Sequence, residues 1–171
     1  MEKKTNKQYK ITHAEPSTVN EPIAHYQTAN TTPINMLGMQ RNTQFKNITS
    51  DSDYINLIRA GLPKAAMNNL MDQTGITGTE MAAIIHTSDR TLRRYDDNDK
   101  LGQEQSERIL ELARLYSKGS EVFDSLEYFK EWMNTALVPL GYKRPKDFLD
   151  TSLGIDLLMK ELGRMEHGIF A

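Results

Sequence analysis

Three kinds of residue in this sequence could do chemistry: its four histidines, an arginine cluster near its middle, and the charged and apolar residues at its end. His13, His25, His86 and His167 lack the spacing at which imidazoles share a metal ion. Glu166 beside His167 suggests acid–base work. On a helix, though, adjacent side chains point about 100° apart and do not meet. There is no glycine-rich phosphate loop and no Gly-x-Ser-x-Gly elbow. No catalytic residue, metal site or cofactor is therefore expected, and recognition is what remains. In Ser88-Asp89-Arg90-Thr91-Leu92-Arg93-Arg94, an arginine can make paired hydrogen bonds to guanine or bind phosphate. Ser88, Asp89, Arg90, Thr91, Arg93 and Arg94 are the candidates to face DNA; the alternative is a solvated helix face. Asp96, Asp97 and Asp99 follow at once and would repel phosphate.

Helices must position these residues. Ser50 or Asp51 can cap a helix that puts Tyr54, Ile55 and Ile58 on one face and ends near Gly61. Pro63 suits the first turn of the next, where its missing N–H costs nothing. Ala66, Met67, Leu70 and Met71 form that helix's stripe, and Gly75 ends it. Met81, Ile84 and Ile85 are spaced for a short helix from near Thr79, and Ser88 caps a second with Leu92 and Tyr95 inward. Small Ala82 lets the two approach closely, as a helix-turn-helix requires. His86 occupies the turn, and histidine tolerates positive φ better than most residues. Residues 103–118 make the most regular helix, with Ile109, Leu112, Ala113 and Tyr116 on one face and Gly119 as its end. Asp124 and Glu127 fit a capping box. The helix they open, from Ser125, carries Leu126, Phe129, Trp132, Met133, Ala136 and Leu137, too wide a stripe for one neighbour. Pro139 and Gly141 break the chain. Thr151 then caps a last helix with Ile155, Leu158, Met159, Leu162 and Met165 on one face, and Gly168 stops it in a left-handed conformation. Ile169, Phe170 and Ala171 lie beyond the stop; they must pack on the body, stay exposed or enter a partner.

No strand pattern appears, so the fold class is all-α, about seven helices. A helix-turn-helix half (51–118) packs with a compact helical C-terminal half (119–171), and the 103–118 helix is shared between them. Residues 1–50 read as a disordered or weakly ordered arm, rich in polar residues and proline, because they bury too little apolar surface to offset ordering entropy. Within it, 34–48 could form a short strand or turn. The arm holds six Lys/Arg against three Asp/Glu; residues 51–171 hold fifteen against twenty. The basic arm either touches DNA phosphates or is a solvated tail. An acidic body is not that of a general DNA coater. No apolar run approaches the ~20 residues that span a bilayer, no apolar stretch follows the N-terminal lysines, and there is no cysteine. A cytoplasmic protein without a membrane partner is expected.

The run from Arg144 carries a further pattern: Arg144, Pro145, Phe148, Leu149, Asp150, Thr151, then Leu162-Gly163-Arg164-Met165-Glu166-His167-Gly168. It resembles the C-terminal toxin-binding domain of the Xre/MbcA/ParS antitoxins, where a Leu-Leu-Asp-Thr corner precedes a helix ending Leu-Gly-Arg-Ile-Glu-His-Gly. Residues 75–97 are similar to the helix-turn-helix of Xre-like regulators, with Ala82, Thr91 and Leu92 at matching places and His86 where glycine is usual. The resemblance implies the antitoxin of a type II toxin–antitoxin pair. Its partner would be a RES-domain toxin that consumes NAD or transfers ADP-ribose. Arg164, Glu166, His167, Gly168, Ile169, Phe170 and Ala171 would cover the toxin's active site. It also implies operator DNA as a second partner and a homodimer within a hetero-oligomeric complex. The alternative is a stand-alone helix-turn-helix regulator whose C-terminal domain only dimerises. Arg164 itself can pair with an acid of the body or with the partner.

Overall fold

The computed structural model describes residues 32–40, 48 and 50–168. Among them are eight α-helices, two 3-10 turns and no strand: α1 Pro33–Met36, α2 Asp51–Ala60, α3 Lys64–Thr74, α4 Gly78–Ile84, α5 Asp89–Leu92, α6 Gln103–Val122, α7 Leu126–Asn134, the turns Val138–Leu140 and Pro145–Phe148, and α8 Ser152–Glu166. None is long and apolar enough to cross a membrane. The all-α expectation holds.

α6 is the axis. It packs against α1, α2, α3, α7 and α8, because its apolar residues surround more than one face: Ile109, Leu110, Leu112, Ala113, Leu115 and Tyr116 are all buried. Gly119 does not end it, contrary to the sequence reading. The helix runs on to Val122, and a Cβ at Gly119 would collide with the Phe129 ring. That glycine serves close packing of α7 on α6. The Phe129 ring meets Tyr116 edge-on at 5.2 Å and stacks on Trp132 at 5.6 Å. α7 itself starts at Leu126 and is capped by Ser125, with Asp124 at φ 53° before it. It stops at Asn134, short of Ala136 and Leu137, so only Phe129 and Met133 of its wide stripe are fully buried.

A second correction concerns the arm. Within the stretch read as a short strand or turn, residues 33–36 form a single turn of helix followed by a turn at 37–38, and Ile34, Met36, Leu37 and Met39 are buried in the common core. Thr32 caps this turn through the Asn35 N–H, and Pro33 presets its first φ. The Gln73 amide donates to the carbonyls of Asn35 and Met36 at 3.2 and 3.0 Å. Four apolar residues in six positions, docked on α3 and α6, gain enough burial to order the segment despite its polar flanks. Ile48 also packs against this core, half-buried, and residues 1–31, 41–47 and 49 lie outside the described residues. In α2 the inward face is Leu57 with Tyr54 and Ile58, while Ile55 is 46% exposed.

The acidic loop after α5 has a structural role. Pro63 stands just before α3 and offers no side-chain cap. The first α3 N–H groups, of Lys64 and Ala65, are taken by the carbonyls of Asp99 and Asp97, both at 2.9 Å. The Asn68 amide holds the Asp97 carboxylate, and the Lys64 ammonium reaches the Tyr95 carbonyl at 2.6 Å.

Candidate functional site

Two surfaces gather the residues that the sequence singled out. The first is the α4–turn–α5 unit. Thr77 caps α4 in a capping box: its hydroxyl accepts from the Glu80 N–H, and the Glu80 carboxylate accepts from the Thr77 N–H at 2.9 Å. That backbone bond first, then the Thr77 hydroxyl, holds the Glu80 carboxyl below its ordinary range; burial opposes and Lys146 assists. Ala82 is buried, as close helix approach needs. His86 has φ 52°, the left-handed turn expected of it. Ser88 caps α5, accepting from the Thr91 N–H at 3.0 Å.

α5 is one turn long. Its candidate DNA-facing residues divide into two sets. The Ser88 and Thr91 hydroxyls bond each other at 2.7 Å, and Asp89 holds Arg93 at 2.7 Å. These four support the turn itself. Arg90 and Arg94 are exposed and make no ion pair among the described residues.

The second surface is the corner and length of α8. Thr151 caps it through the Gly154 N–H at 3.1 Å. A Cβ at Gly154 would overlap the Phe148 carbonyl, so glycine is required where the 3-10 turn meets the helix. Ile155, Leu158 and Leu162 are buried, with Met159 and Met165 half-buried beside them. At the far end, Arg164 pairs with Glu161 at 2.7 Å and Glu166 with Lys118 of α6 at 2.6 Å. The Lys118 hydrogen bond lowers the Glu166 carboxyl and raises the Lys118 ammonium. The His167 N–H closes the helix onto the Gly163 carbonyl, its side chain is exposed, and Gly168 turns the chain at φ 66°. Ile169, Phe170 and Ala171 lie outside the described residues.

Between the surfaces lies a seam that sequence reasoning missed. Arg108 of α6 is 4% exposed. Its guanidinium donates to the Ile84 carbonyl at the end of α4 (3.2 Å), to the Leu149 carbonyl (2.7 Å), to Ser152 Oγ (2.9 Å) and to Glu111 (2.7 Å). Nearby, His86 Nε2 lies 3.0 Å from the Asp150 carbonyl, and Lys146 reaches Glu80 at 3.3 Å. One signal could have found Arg108. It stands four residues before Leu112, on the apolar stripe of α6, where a charge must be paired to be buried.

Comparison with known proteins gives two family matches. Residues 53–114 match the antitoxin Xre-like helix-turn-helix domain, and residues 118–168 match the antitoxin Xre/MbcA/ParS C-terminal toxin-binding domain. The chain is 26% identical over 132 residues to the Prs ADP-ribosylating antitoxin of Sphingobium sp., covering 71% of this chain and 83% of that one. It is 26% identical over 124 residues to Antitoxin Xre of Photorhabdus laumondii subsp. laumondii, covering 71% and 84%. Against Antitoxin Xre of Yersinia enterocolitica serotype O:8 it is 27% identical over 113 residues, covering 66% and 68%. The boundary between the matched domains falls inside α6, the helix that both halves share.

Proposed function

We propose, from the premise that this chain belongs to the Xre/MbcA/ParS antitoxins, that it neutralises a RES-domain toxin by covering the toxin's active site with the end of α8 and the residues beyond. One observation carries the reading. The motif helix is fixed to the body by its buried face and by Lys118–Glu166, yet it ends in exposed His167 and an exposed, left-handed Gly168. A helix end held in this way, with its last described residues open to solvent, offers a partner a contact surface whose ordering cost is already met. Inhibition then needs occupancy of the site and no chemistry from the antitoxin. The name of the Sphingobium relative supports a toxin acting on NAD or ADP-ribose. Repression of its own operon is the second part of the reading, with Arg90 and Arg94 as the open cations of the helix-turn-helix. A homodimer within the toxin complex would place two such units on DNA.

The test is co-expression of the neighbouring toxin gene with full-length chain or with a chain lacking residues 168–171. Growth, cellular NAD and pull-down are measured. The truncated chain should fold, still bind DNA and lose protection, with NAD falling. Full protection by the truncated chain would move inhibition from the terminus to the broader face of α8.

A further inference from the structure

We propose that the cleft at the seam between α4 and the Pro145–Phe148 turn is a binding site for a small uncharged ring compound carrying a carbonyl or carboxamide. The cleft measures about 190 Å³, below the roughly 300–1,000 Å³ of sites for drug-sized ligands and suited to a single ring. Both halves of the chain line it, and the family reading gives it no role.

Its floor carries the main observation. Tyr116 of α6 is 3% exposed, and its hydroxyl has no hydrogen-bond partner among the described residues. A buried tyrosine hydroxyl ordinarily finds one. Yet no buried side-chain polar atom of the described residues is both sealed and unpaired, so this hydroxyl opens into the cleft that Tyr116 lines. Burial first, and then the Glu80 carboxylate, push the phenol well above its ordinary range, so it stays protonated and acts as a donor. The group that meets it must be an acceptor.

The walls and rim set the rest. Ile76, Ala83, Ile84 and Leu149 present apolar sides that suit a flat ring. The rim cations are already neutralised: Lys146 by Glu80 at 3.3 Å and Arg144 by Asp147 at 2.8 Å. A carboxylate or phosphate would have to displace one of those acids and would also face Asp150. An uncharged acceptor reaches Tyr116 without breaking either pair.

The experiment titrates the full chain with benzamide, benzoate and benzamidine, followed by amide and methyl NMR shifts. Benzamide should give saturable shifts confined to Ile76, Ile84, Leu149 and their neighbours, and should bind more tightly than either charged analogue. Tyr116→Phe keeps the edge contact with Phe129 and should weaken benzamide by about 3–10-fold, the loss of one hydrogen bond. Ala83→Leu fills the cleft from its exposed side, leaves Tyr116 untouched and should abolish the shifts. Circular dichroism melts confirm that both variants fold. No saturable shift at millimolar benzamide would mean that water alone serves the hydroxyl, and would overturn the proposal. Tighter binding of benzoate or benzamidine would overturn it too, as would affinity unchanged in both variants.

Discussion

The one-turn α5 and the long α8 use similar devices to present residues outward, and they differ in what remains free. Each has a hydroxyl N-cap and a residue in the left-handed region beside it or at its end: Ser88 with His86, Thr151 with Gly168. In each, the charged residues that stand out in the sequence are partly spent on the element itself. Asp89 and Arg93 brace α5, while Glu161 with Arg164 and Lys118 with Glu166 brace α8. On α5 what remains is two arginine side chains on a short, shallow turn. On α8 what remains is an exposed helix end anchored by the buried side chains of Ile155, Leu158 and Leu162. The first suits tracking of phosphate charge and the second a shape-specific contact. A charged residue in a motif is thus a candidate for the scaffold as much as for the partner, and only the pairing tells which.

The sharpest way to break the comparison is at the residue that joins the two surfaces. Arg108→Ala leaves the Ile84 and Leu149 carbonyls without their donor and Glu111 without its cation. Loss of one partner of a buried charged group costs about 3–5 kcal/mol. Urea unfolding should show a loss of this size. Hydrogen exchange should rise at the end of α4 and at the start of α8 together. Protection lost at only one of them would show that the arginine does not couple the two surfaces.

Next in size is Gly154→Ala, which tests whether the α8 corner is set by backbone contact. The new methyl meets the Phe148 carbonyl, and overpacking of this kind costs about 1–3 kcal/mol. Gly163→Ala is the control: a Cβ there meets nothing within 4 Å, and the helix gains up to about 1 kcal/mol. Equal effects at the two glycines would remove the special status of the corner. If Gly163→Ala stabilises the chain yet weakens protection against the toxin, the surface at 163 is in contact with the partner.

Much of this was legible beforehand, for physical reasons that differ by residue. The caps at Ser50, Ser88 and Thr151 and the stops at Gly75 and Gly168 are local, so short windows show them. The 3.6-residue stripes of α3, α4 and α8 were visible because each buries one face. The ends of α6 and α7 are not legible locally: Gly119 serves packing against Phe129 and does not terminate its helix, and the Leu137 backbone pairs with Lys143 instead of continuing α7. Residues 33–39 read as part of the arm because their burial depends on α3 and α6, more than twenty residues away in sequence. The seam was invisible for the same reason. Arg108, His86 and Lys146 act on backbone and side-chain groups that no spacing rule links.

On the α5 side the comparison sharpens with salt. If Arg90 and Arg94 each contact a phosphate, the double alanine variant should bind every DNA more weakly and lower the slope of log K against log salt by about 2. Arg93→Ala, already paired with Asp89, should change the slope by less. A selective loss of affinity for the operator alone would mean that one of these arginines reads a base. Unchanged binding would exclude this turn as the reader and make the basic arm the next candidate.

The smallest effect distinguishes the two threonine caps. Thr77 shares a capping box with Glu80, whereas the third helical position after Thr151 is Gly154, which has no side chain to return a bond. Only the first cap should depend on pH. The folded Glu80 carboxyl lies below its ordinary value of 4.5, so its contribution is fully present above that value and is lost as pH falls through the folded one. Its side chain is 43% exposed, so after solvent screening the contribution is a few tenths of a kcal/mol. Glu80→Gln should lower the urea midpoint slightly at pH 6 to 8, and the gap to the unsubstituted chain should close on acidification below about pH 4. Thr151→Ala should cost about 1 kcal/mol by loss of the cap, with no closure of the gap at low pH. A Glu80→Gln gap that stays constant to pH 3 would show that the carboxylate does not support α4 in the charged form. Lys146–Glu80 would then hold the seam by position alone.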